Sequence, residues 1–443
     1  MPERFLWNPK TLGERCIDSP LGLSSVRGEG NPAYVDDSAR VLCDVEISPG
    51  KPTPDASRSF EKAGPRAKIF FDPKETRAAI LTAGGLCPGI NNVIRSLVLM
   101  LVHNYEIREV LGIRYGFAGL APSGEGGGLE PRVLDHAAVE TIHTRGGTIL
   151  GTSRGQQDVS AMVDEIVRRR ISCLFAIGGD GTMKGTHAIA EEVARRGLPI
   201  AVIGIPKTID NDVAYVDKTF GFETAVAVAR TAIDAAHTEA RSLQNGIGLV
   251  KLMGREAGFI AAHATLASHD VNVCLVPEVR YDLDGPKGLL AFLEGRLEKR
   301  GHAVVVVAEG CGAHLVPDDE APHDASGNVK LSSKELDVGA FLKKRIDGHF
   351  EKKGVTIALK YIDPSYMIRG VPANAVDAAF CDELARYAAH AAMAGRTDVM
   401  IGRLHRCFTH VPLPMALAEK KRIDPEGELW LAVTETTGQP KLC

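Results

Sequence analysis

Short apolar runs that end in glycine-rich turns alternate with amphipathic stretches along most of this chain, from Ala78 onward. Such runs include AAILTAGG, CLFAIGGDGT, IAVIGIPKT and AVVVVAEG. Buried strands that alternate with helices in this way form parallel sheets with helices on both faces. The sequence therefore predicts an α/β fold with doubly wound parallel sheets, in which ligands bind outside the carboxyl ends of the strands.

Length and composition narrow the class of protein. A chain of 443 residues with 44% hydrophobic residues is long for one core and favours two α/β domains. The formal net charge of -4 provides no basic field for nucleic acid or an anionic membrane, so neither is an expected partner. The cysteines are scattered singly and form no CxxC pair, which favours a reducing compartment. The longest apolar runs are far shorter than the ~18 residues needed to cross a bilayer, so we expect a cytoplasmic protein. Two stretches rich in glycine and charge, 122–131 and 317–328, are predicted to be solvated loops.

The stretch IGGDGTMKG, residues 177–185, follows one of the apolar runs and opens a predicted helix. Glycines at such a point let backbone N–H groups approach an anion, and the amino terminus of the helix adds a favourable dipole. We interpret Gly179, Asp180 and Gly181 as part of a polyphosphate site, with the Asp180 carboxylate as a ligand of Mg²⁺. The alternative is a plain glycine-rich turn in which Asp180 caps the helix.

Two further turns have a similar character. Gly84 and Gly85 open the turn GGLCPG between another apolar run and another predicted helix, so two glycine turns can flank one polyphosphate. Arg154, in the turn GTSRG, offers a guanidinium that can clamp phosphates. Taken alone, an arginine in such a turn is more often a solvated surface residue.

The stretch IPKTIDND, residues 205–212, places a lysine, a threonine and two aspartates behind a third apolar run. Asp210 can take a proton from a hydroxyl nucleophile, Asp212 can lie near a metal, and Lys207 can stabilise a transferring phosphoryl group. Asp-Asn-Asp by itself would be an unremarkable turn. In this setting the combination indicates phosphoryl transfer to a hydroxyl group.

Together with GFETA and KLMGREAGF, these motifs resemble those of the 6-phosphofructokinase family, in particular its longer branch in plants, protists and some bacteria. The resemblance covers roughly residues 78–435 in the family's order. It implies transfer of the γ-phosphoryl group of MgATP to the 1-hydroxyl of fructose 6-phosphate, a step of glycolysis. GGDGT also occurs in NAD and lipid kinases, so the specific part of the signal is PKTIDND followed by MGREAG.

The resemblance also implies three overlapping groups of site residues. The catalytic group comprises Asp210 as the base, Thr208, Lys207 and Arg255. The nucleotide group comprises Gly84, Gly85, Arg154, Gly179, Asp180, Gly181, Thr182 and Gly185, and the carboxylates that face Mg²⁺ are Asp180 and Asp212. The sugar-phosphate group comprises Thr208, Asp210, Met253, Gly254, Arg255, Glu309, Lys360, Tyr366 and Arg369.

By the same resemblance, the active site lies in the cleft between two α/β domains of a homodimer or homotetramer. Residues 1–75 are predicted to form an N-terminal extension, 76–225 the nucleotide-binding domain and 226–365 the sugar-phosphate-binding domain. A segment near 366–410 is expected to return to the first domain, and 411–443 to form a C-terminal segment.

The family divides between ATP and pyrophosphate as phosphoryl donors, and two positions bear on the choice. Pyrophosphate enzymes typically carry an aspartate after GGD, where its charge opposes the α-phosphate of a nucleotide, whereas this chain has Gly181. Lys207 is typical of pyrophosphate enzymes but also occurs in ATP enzymes of the long branch. Because steric exclusion is the stronger constraint, ATP is the predicted donor and pyrophosphate the alternative.

Two hypotheses from other classes remain. A nucleotide kinase of the NAD or lipid type would share GGDGT but would leave PKTIDND unexplained. A non-catalytic homologue that senses sugar phosphate would be expected to lack Asp180 or Asp210, and both residues are present.

Overall fold

The computed structural model describes residues 7–26, 28, 31–47, 49–50, 53–121, 129–312 and 337–443. The chain forms two compact units. Unit 1 comprises Met1–Thr208, Val213–Gly221 and Val371–Lys420, and unit 2 comprises Ile209–Asp212, Phe222–Gly370 and Lys421–Cys443. The predicted loop 317–328 and most of the loop 122–131, its residues 122–128, lie outside the described residues.

Strands and helices alternate through most of the described chain. The strands are β1 Lys10–Thr11, β2 Ile17–Asp18, β3 Arg40–Leu42, β4 Ser59–Lys62, β5 Lys68–Ile69, β6 Arg77–Thr82, β7 Glu109–Ile113, β8 Arg132–Val133, β9 Cys173–Gly178, β10 Ala201–Pro206, β11 Gly246–Leu252, β12 Val273–Leu275, β13 His302–Ala308, β14 Ala358–Ile362, β15 Arg396–Thr397, β16 Val399–Leu404 and β17 Cys407–Pro412. The α-helices are α1 Ile90–Leu99, α2 His136–Val139, α3 Val159–Arg168, α4 Asp180–Arg195, α5 Phe222–Ser242, α6 Phe259–Ser268, α7 Leu289–Arg300, α8 Val338–Lys352, α9 Ser365–Gly370, α10 Ala375–Met393, α11 Leu413–Ala418 and α12 Glu428–Thr437. Shorter helical turns span Met100–Asn104, Gly116–Leu120 and Ile142–Thr144.

A nine-stranded sheet forms the centre of unit 1, in the order β3-β4-β17-β16-β10-β9-β6-β7-β8. Its five central strands, from β16 to β7, run parallel, and the strands outside them pair antiparallel. The three apolar runs that precede the glycine and aspartate motifs are β6, β9 and β10, which are neighbours in the sheet. The predicted α/β class with parallel sheets is confirmed.

Buried side chains cover both faces of this sheet. Met162 of α3 and Ile189 of α4 belong to one apolar cluster with residues of three neighbouring strands, Ala79 of β6, Leu174 of β9 and Val202 of β10. Ile80 and Phe175 alternate with these cluster residues along their strands and are also fully buried. Since neighbouring residues of a strand point to opposite faces, the sheet is covered on both sides, as a doubly wound fold requires.

The residues predicted to form an N-terminal extension contribute strands to this sheet. β4 pairs with β17, with Glu61 opposite His410. Buried Glu61 accepts hydrogen bonds from Arg66 at 2.9 Å and Arg396 at 3.0 Å, and lies 3.0 Å from Nδ1 of His410. Burial opposes ionisation, but hydrogen bonding to His410 and the charges of the two arginines lower the pKa of Glu61 to about 2. This ionic cluster ties the beginning of the chain to the core of unit 1.

Unit 2 contains a four-stranded sheet in the order β12-β13-β11-β14, with all strands parallel. The runs GIGLVKL and HAVVVVA form the central strands β11 and β13 and are almost entirely buried. Helices α5, α6 and α7 contact this sheet, and α8 contacts β11 and β14. Strands that are buried on both sides read as continuous apolar runs, which is why both were recognisable in the sequence.

The chain passes between the two units more than once. Ile209–Asp212 belongs to unit 2, although the residues before and after it belong to unit 1. Val371–Lys420 returns to unit 1, and Lys421–Cys443 belongs to unit 2. These limits differ from the predicted 76–225 and 411–443. All of α5 belongs to unit 2, where it contacts β11, β13 and β14. None of the helices in the described ranges is both long and apolar enough to cross a bilayer.

Candidate functional site

Three parallel strands of unit 1 end side by side. Thr82 at the end of β6 pairs with Ile177 of β9, and Gly178 at the end of β9 pairs with Pro206 at the end of β10. The loops after these strands carry the two glycine motifs and the lysine of IPKTIDND. The register thus brings all three motifs to one edge of the sheet, where parallel sheets bind ligands.

The turn after β6 has a backbone conformation that glycine adopts readily. Gly84 has a φ of +84°. Its N–H donates to the carbonyl of Ser153 at 3.2 Å, and its carbonyl accepts a hydrogen bond of 2.6 Å from the Thr152 hydroxyl. A Cβ added to Gly85 would lie 3.8 Å from Nη2 of Arg154. The guanidinium of Arg154 is therefore held beside the predicted phosphate loop.

Lys207 is buried at the same edge, with 6% of its surface exposed. Its backbone N–H donates to the carbonyl of Gly178 at 2.8 Å, and its ammonium donates to the carbonyl of Gly85 at 2.6 Å. A Cβ added to Gly84 would lie 3.8 Å from the Lys207 ammonium and 3.9 Å from the Thr182 hydroxyl. Lys207 and Thr182 thus converge on the Gly84 turn.

The start of α4 combines an open position with a closely packed one. Gly179 precedes the helix, and Asp180 is its first residue. A Cβ added to Gly181 would meet no heavy atom of the described residues within 4 Å, whereas one added to Gly185 would lie 2.8 Å from the ring of Phe117. Gly181 therefore leaves room for a ligand at the amino terminus of α4. Gly185 is required for packing, and its predicted role in nucleotide binding stays a prediction.

The carboxylate of Asp180 faces a lysine from the last part of the chain. Nζ of Lys420 lies 2.7 Å from Oδ2 of Asp180, and the two side chains are 30% and 37% exposed. The backbone of Lys420 forms an antiparallel bridge with Val213, directly after IPKTIDND. An ammonium at this distance shows that the Asp180 carboxylate is placed to bind a cation beside the start of a helix.

The second half of IPKTIDND is held by neighbours on both sides of the point where the chain changes units. In unit 1, the carbonyl of Thr208 accepts a hydrogen bond of 2.6 Å from the Thr219 hydroxyl. In unit 2, Asn211 has a φ of +57°, and its side-chain oxygen accepts a hydrogen bond of 3.1 Å from the Lys421 ammonium. The backbone N–H of Lys421 donates to the carbonyl of Asp212 at 3.0 Å. The turn that carries both aspartates is therefore fixed in place.

Unit 2 carries the MGR motif in a turn that needs two glycines. Gly254 has a φ of +128°, and a Cβ added there would lie 2.5 Å from the carbonyl oxygen of Ala257. Gly310 donates to the carbonyl of Gly254 at 3.1 Å, and a Cβ on it would lie 1.8 Å from the carbonyl oxygen of Arg255. The turns after β11 and β13 thus touch backbone to backbone. This contact places the Arg255 guanidinium 3.7 Å from the Glu309 carboxylate.

Asp210 lies among the charged residues of unit 2. Burial, followed by the negative charges of Asp212 and Glu309, raises the pKa of Asp210 from 3.8 to about 7. The charge of Arg369 and a hydrogen bond from the backbone N–H of Arg255 act in the opposite direction. A carboxyl group with a pKa near the ambient pH can both accept and release a proton, which is what a general base requires.

Two residues of α9 belong to the predicted sugar-phosphate group. Nε of Arg369 donates to the sulfur of Met253 at 3.2 Å, which places the guanidinium beside the MGR turn. Tyr366 is 88% exposed, an unusual position for a tyrosine in a structural role. The structure therefore places Arg369 in contact with Met253 and close enough to Asp210 for its positive charge to lower the pKa of that carboxyl group.

Lys360, also predicted to bind the sugar phosphate, lies farther from the MGR turn. It lies within β14 opposite Gly248, five residues before Met253 along the neighbouring strand, a distance of ~16 Å. Its ammonium faces Glu239 of α5 at 3.8 Å. Its predicted role in sugar-phosphate binding has no support in the contacts within unit 2.

One cluster in the described part of the chain has the spacing of a metal site, but a lysine neutralises it. His187, Glu191 and Asp398 place their ligand atoms within 4.8 Å of one another. The Lys10 ammonium lies 2.9 Å from Asp398 and 3.3 Å from Glu191. Lys10 therefore takes the position of a cation and ties β1 to the core of unit 1. The carboxylates expected to face Mg²⁺ lie elsewhere, Asp180 in unit 1 and Asp212 in unit 2.

Sequence reasoning missed Lys420 and Lys421. Their only signal is the basic run KKR at residues 420–422, which by itself is typical of a solvated surface. The structure connects them to the predicted motifs through the contacts of Lys420 with Asp180 and of Lys421 with Asn211 and Asp212.

Known proteins are similar to this chain over most of its length. The sequence profile of the family described as Phosphofructokinase matches residues 77–392. The chain is 44% identical to the ATP-dependent 6-phosphofructokinase of Borreliella burgdorferi, over 97% of this chain and 96% of that protein. It is 45% identical to the ATP-dependent 6-phosphofructokinase of Amycolatopsis methanolica, over 97% of this chain and 94% of that protein. It is also 46% identical to ATP-dependent 6-phosphofructokinase 7 of Arabidopsis thaliana, over 86% and 77% of the respective chains.

Solved structures share the fold at low sequence identity. A pyrophosphate-dependent phosphofructokinase from Marinobacter aquaeolei matches with a TM-score of 0.65 at 18% identity, over 83% of this chain and 92% of that one. Phosphofructokinase of Pichia pastoris in the T-state matches with a TM-score of 0.63 at 19% identity, over 88% of this chain and 38% of that one. At these identities the matches establish the fold and leave the phosphoryl donor to the site itself.

Proposed function

This chain belongs to the phosphofructokinase family, and from that premise we propose how its residues carry out the reaction. It is an ATP-dependent phosphotransferase that transfers the γ-phosphoryl group of ATP to the 1-hydroxyl of fructose 6-phosphate. The observation that carries the assignment of roles is the position of Asp210, whose carboxylate is buried near Asp212, Glu309 and Arg369 in unit 2. Burial and the two neighbouring carboxylates raise its pKa. Full-length relatives named as ATP-dependent enzymes, together with the open position at Gly181, support ATP as the donor.

Unit 1 binds the polyphosphate of ATP. The backbone N–H groups of the Gly84 turn and of the first turn of α4 provide the anion site. Lys207 contributes a buried positive charge next to that turn, and Arg154 contributes a second one beside Gly85. The space at Gly181 admits the α-phosphate, where an aspartate would oppose it.

Unit 2 binds fructose 6-phosphate and supplies the base. The guanidinium groups of Arg255 and Arg369 attract the sugar phosphate, and Glu309 accepts a hydrogen bond from a sugar hydroxyl. Asp210 takes the proton of the sugar's 1-hydroxyl group. At the same time the hydroxyl oxygen attacks the γ-phosphorus of ATP, and the bond between that phosphorus and the β,γ-bridging oxygen breaks. The rate enhancement comes from positioning and from charge stabilisation, with Thr208 as a positioning hydroxyl.

The reaction needs Mg²⁺, which when bound neutralises the charge that develops on the phosphoryl oxygens. Asp180 and Asp212 would hold it, directly or through water. The donor set fits this ion, because carboxylate oxygens are hard ligands and Asp180 already attracts a cation at 2.7 Å.

We further propose that the enzyme is a cytoplasmic homodimer or homotetramer. The nine free thiols of the chain suit a reducing compartment. Sedimentation velocity of the purified protein would determine the number of subunits.

The test is the initial rate of fructose 1,6-bisphosphate formation with Mg²⁺ and either ATP or pyrophosphate at equal concentration, with Asp210→Asn as the control. Turnover with ATP, lost in the variant, is the expected result. Turnover with pyrophosphate alone would overturn the donor assignment. Binding of fructose 6-phosphate without turnover on either donor would favour the non-catalytic sensor instead.

A further inference from the structure

We propose that Lys420 is a polyphosphate-binding residue of the nucleotide site. In this structure its ammonium is paired with the Asp180 carboxylate, and it moves to the phosphates when Mg²⁺ takes that carboxylate. The inference rests on the proposed function, because it requires the first turn of α4 to bind a nucleotide. Lys420 lies outside residues 77–392, which the family profile matches, and outside every motif that the sequence singled out.

The backbone of Lys420 is fixed where its side chain can reach this turn. Lys420 forms an antiparallel bridge with Val213, the residue that follows the Asp-Asn-Asp turn. The next residue, Lys421, donates its N–H to Asp212 at 3.0 Å and its ammonium to Asn211 at 3.1 Å. The two consecutive lysines are thus anchored to the turn through both main chain and side chain. The proposed exchange requires movement of the Lys420 side chain alone.

The ion pair between Lys420 and Asp180 can exchange its partners. With the side chains 30% and 37% exposed, water screens the attraction, and a pair of this kind contributes little to stability. A carboxylate gains more from Mg²⁺, and an ammonium gains more from a triphosphate. Binding of a magnesium nucleotide therefore replaces one weak ion pair with two stronger interactions at the same place.

Lys420 and Lys207 differ in a way that suits two roles. Lys207 is buried and donates to the carbonyl of Gly85, so it belongs to the framework of the phosphate loop. Lys420 is accessible and is paired with a carboxylate that the ligand's own metal can take. Lys207 therefore holds the phosphate loop in place, and Lys420 adds a contact to the phosphates when the nucleotide binds.

The charge-neutral variant Lys420→Met tests this exchange with two binding measurements. Mn²⁺ alone is titrated by electron paramagnetic resonance, and the β,γ-imido analogue of ATP with Mg²⁺ by calorimetry. We expect Mn²⁺ to bind roughly threefold tighter or better, because Asp180 no longer has a competing ammonium. We expect the nucleotide analogue to bind roughly tenfold weaker or worse, because a charge-assisted hydrogen bond is lost.

Two further variants complete the experiment. Lys420→Arg retains the charge and is expected to keep the affinity for the analogue within roughly threefold of the wild type. Lys74→Met removes one exposed lysine of unit 1 and is expected to change neither affinity. If Lys420→Met fails to fold by circular dichroism, Lys420→Gln is measured against the same criteria.

Opposite changes in the two affinities support the proposal. Affinity for the analogue equal to that of Lys74→Met would overturn it. A loss of both affinities would also overturn it, since Lys420 would then only support Asp180 structurally. A wild-type protein that binds no nucleotide analogue would instead refute the proposed function, so the two failures can be told apart.

Discussion

The ammonium of Lys207 donates a hydrogen bond of 2.6 Å to the carbonyl oxygen of Gly85, although the two residues are 122 positions apart in the chain. This bond joins the strand end that carries IPKTIDND to the glycine turn two strands away in the sheet. Because Lys207 is buried, its charge acts through a medium with little water, which would strengthen the stabilisation of a phosphoryl group that we propose for it.

Replacing Lys207 with methionine should lower kcat with ATP by a factor of roughly 10² to 10³, the usual cost of one preorganised charge stabiliser. The KM for fructose 6-phosphate should change little, because all of the proposed sugar residues except Thr208 lie in unit 2. Steady-state kinetics measure both quantities, with Lys74→Met as a control for the loss of one lysine. A kcat within threefold of the wild type would remove Lys207 from the catalytic group.

Replacing Asp210 with asparagine should reduce turnover by a factor of roughly 10² to 10⁴, the usual span for a general base. Asparagine has nearly the same shape, so binding of fructose 6-phosphate, measured by calorimetry, should be preserved. Substantial turnover in this variant would mean that another group accepts the proton.

The pH dependence of kcat/KM for fructose 6-phosphate should report the ionisation of Asp210 in the free enzyme. Since the base acts when it is deprotonated, activity should fall as the pH is lowered through about 7. Asp212→Asn removes a charge that raises the pKa, so the inflection should move to lower pH. Arg369→Met removes a charge that lowers it, so the inflection should move to higher pH. Shifts of the same sign in the two variants would contradict the charge arrangement of unit 2.

Replacing Gly181 with aspartate should lower kcat/KM for ATP by roughly a hundredfold, because like charges that are forced together cost several kcal/mol. Gly181→Ala is the matched control, and its Cβ would occupy open space. Initial rates of both variants with ATP separate charge from bulk. An alanine variant as impaired as the aspartate variant would show that size, and not charge, controls this position.

Replacing Glu61 with glutamine should lower the thermal unfolding midpoint at pH 7, because it leaves Arg66 and Arg396 buried without their shared anion. Breaking a buried ion pair of this kind costs about 3–5 kcal/mol. Glu75→Gln, at an exposed position, is the matched control and should leave the midpoint unchanged.

The effect of Glu61→Gln on the thermal unfolding midpoint should also depend on pH. The folded-state pKa of Glu61, about 2, lies below its ordinary value of 4.5, so its contribution to stability is complete above pH 4.5. That contribution is lost as the pH falls from 4.5 toward 2. The difference in midpoint between wild type and Glu61→Gln should therefore shrink over this range, and a constant difference would contradict the assigned ionisation.

Much of the fold, and the convergence of three predicted motifs at one edge of the unit 1 sheet, could be predicted because the signals are local. Each phosphate or sugar motif follows an apolar run directly, and the rule that parallel strands present ligands at their carboxyl ends supplies the rest. The pairs Lys420 with Asp180 and Glu61 with His410 could not be predicted, since neither has a pattern near it in sequence.

The pairing of Glu61 with His410 joins positions that are 349 residues apart. At a synthesis rate of roughly 5–20 residues per second, about 20 to 70 seconds pass between the synthesis of β4 and that of its partner strand β17. For most of that time the Glu61 carboxylate and one edge of β4 lack the partners that the last part of the chain provides. Unit 1 thus reaches its native state only after nearly the whole polypeptide has left the ribosome, which makes the nascent chain a natural client for chaperones.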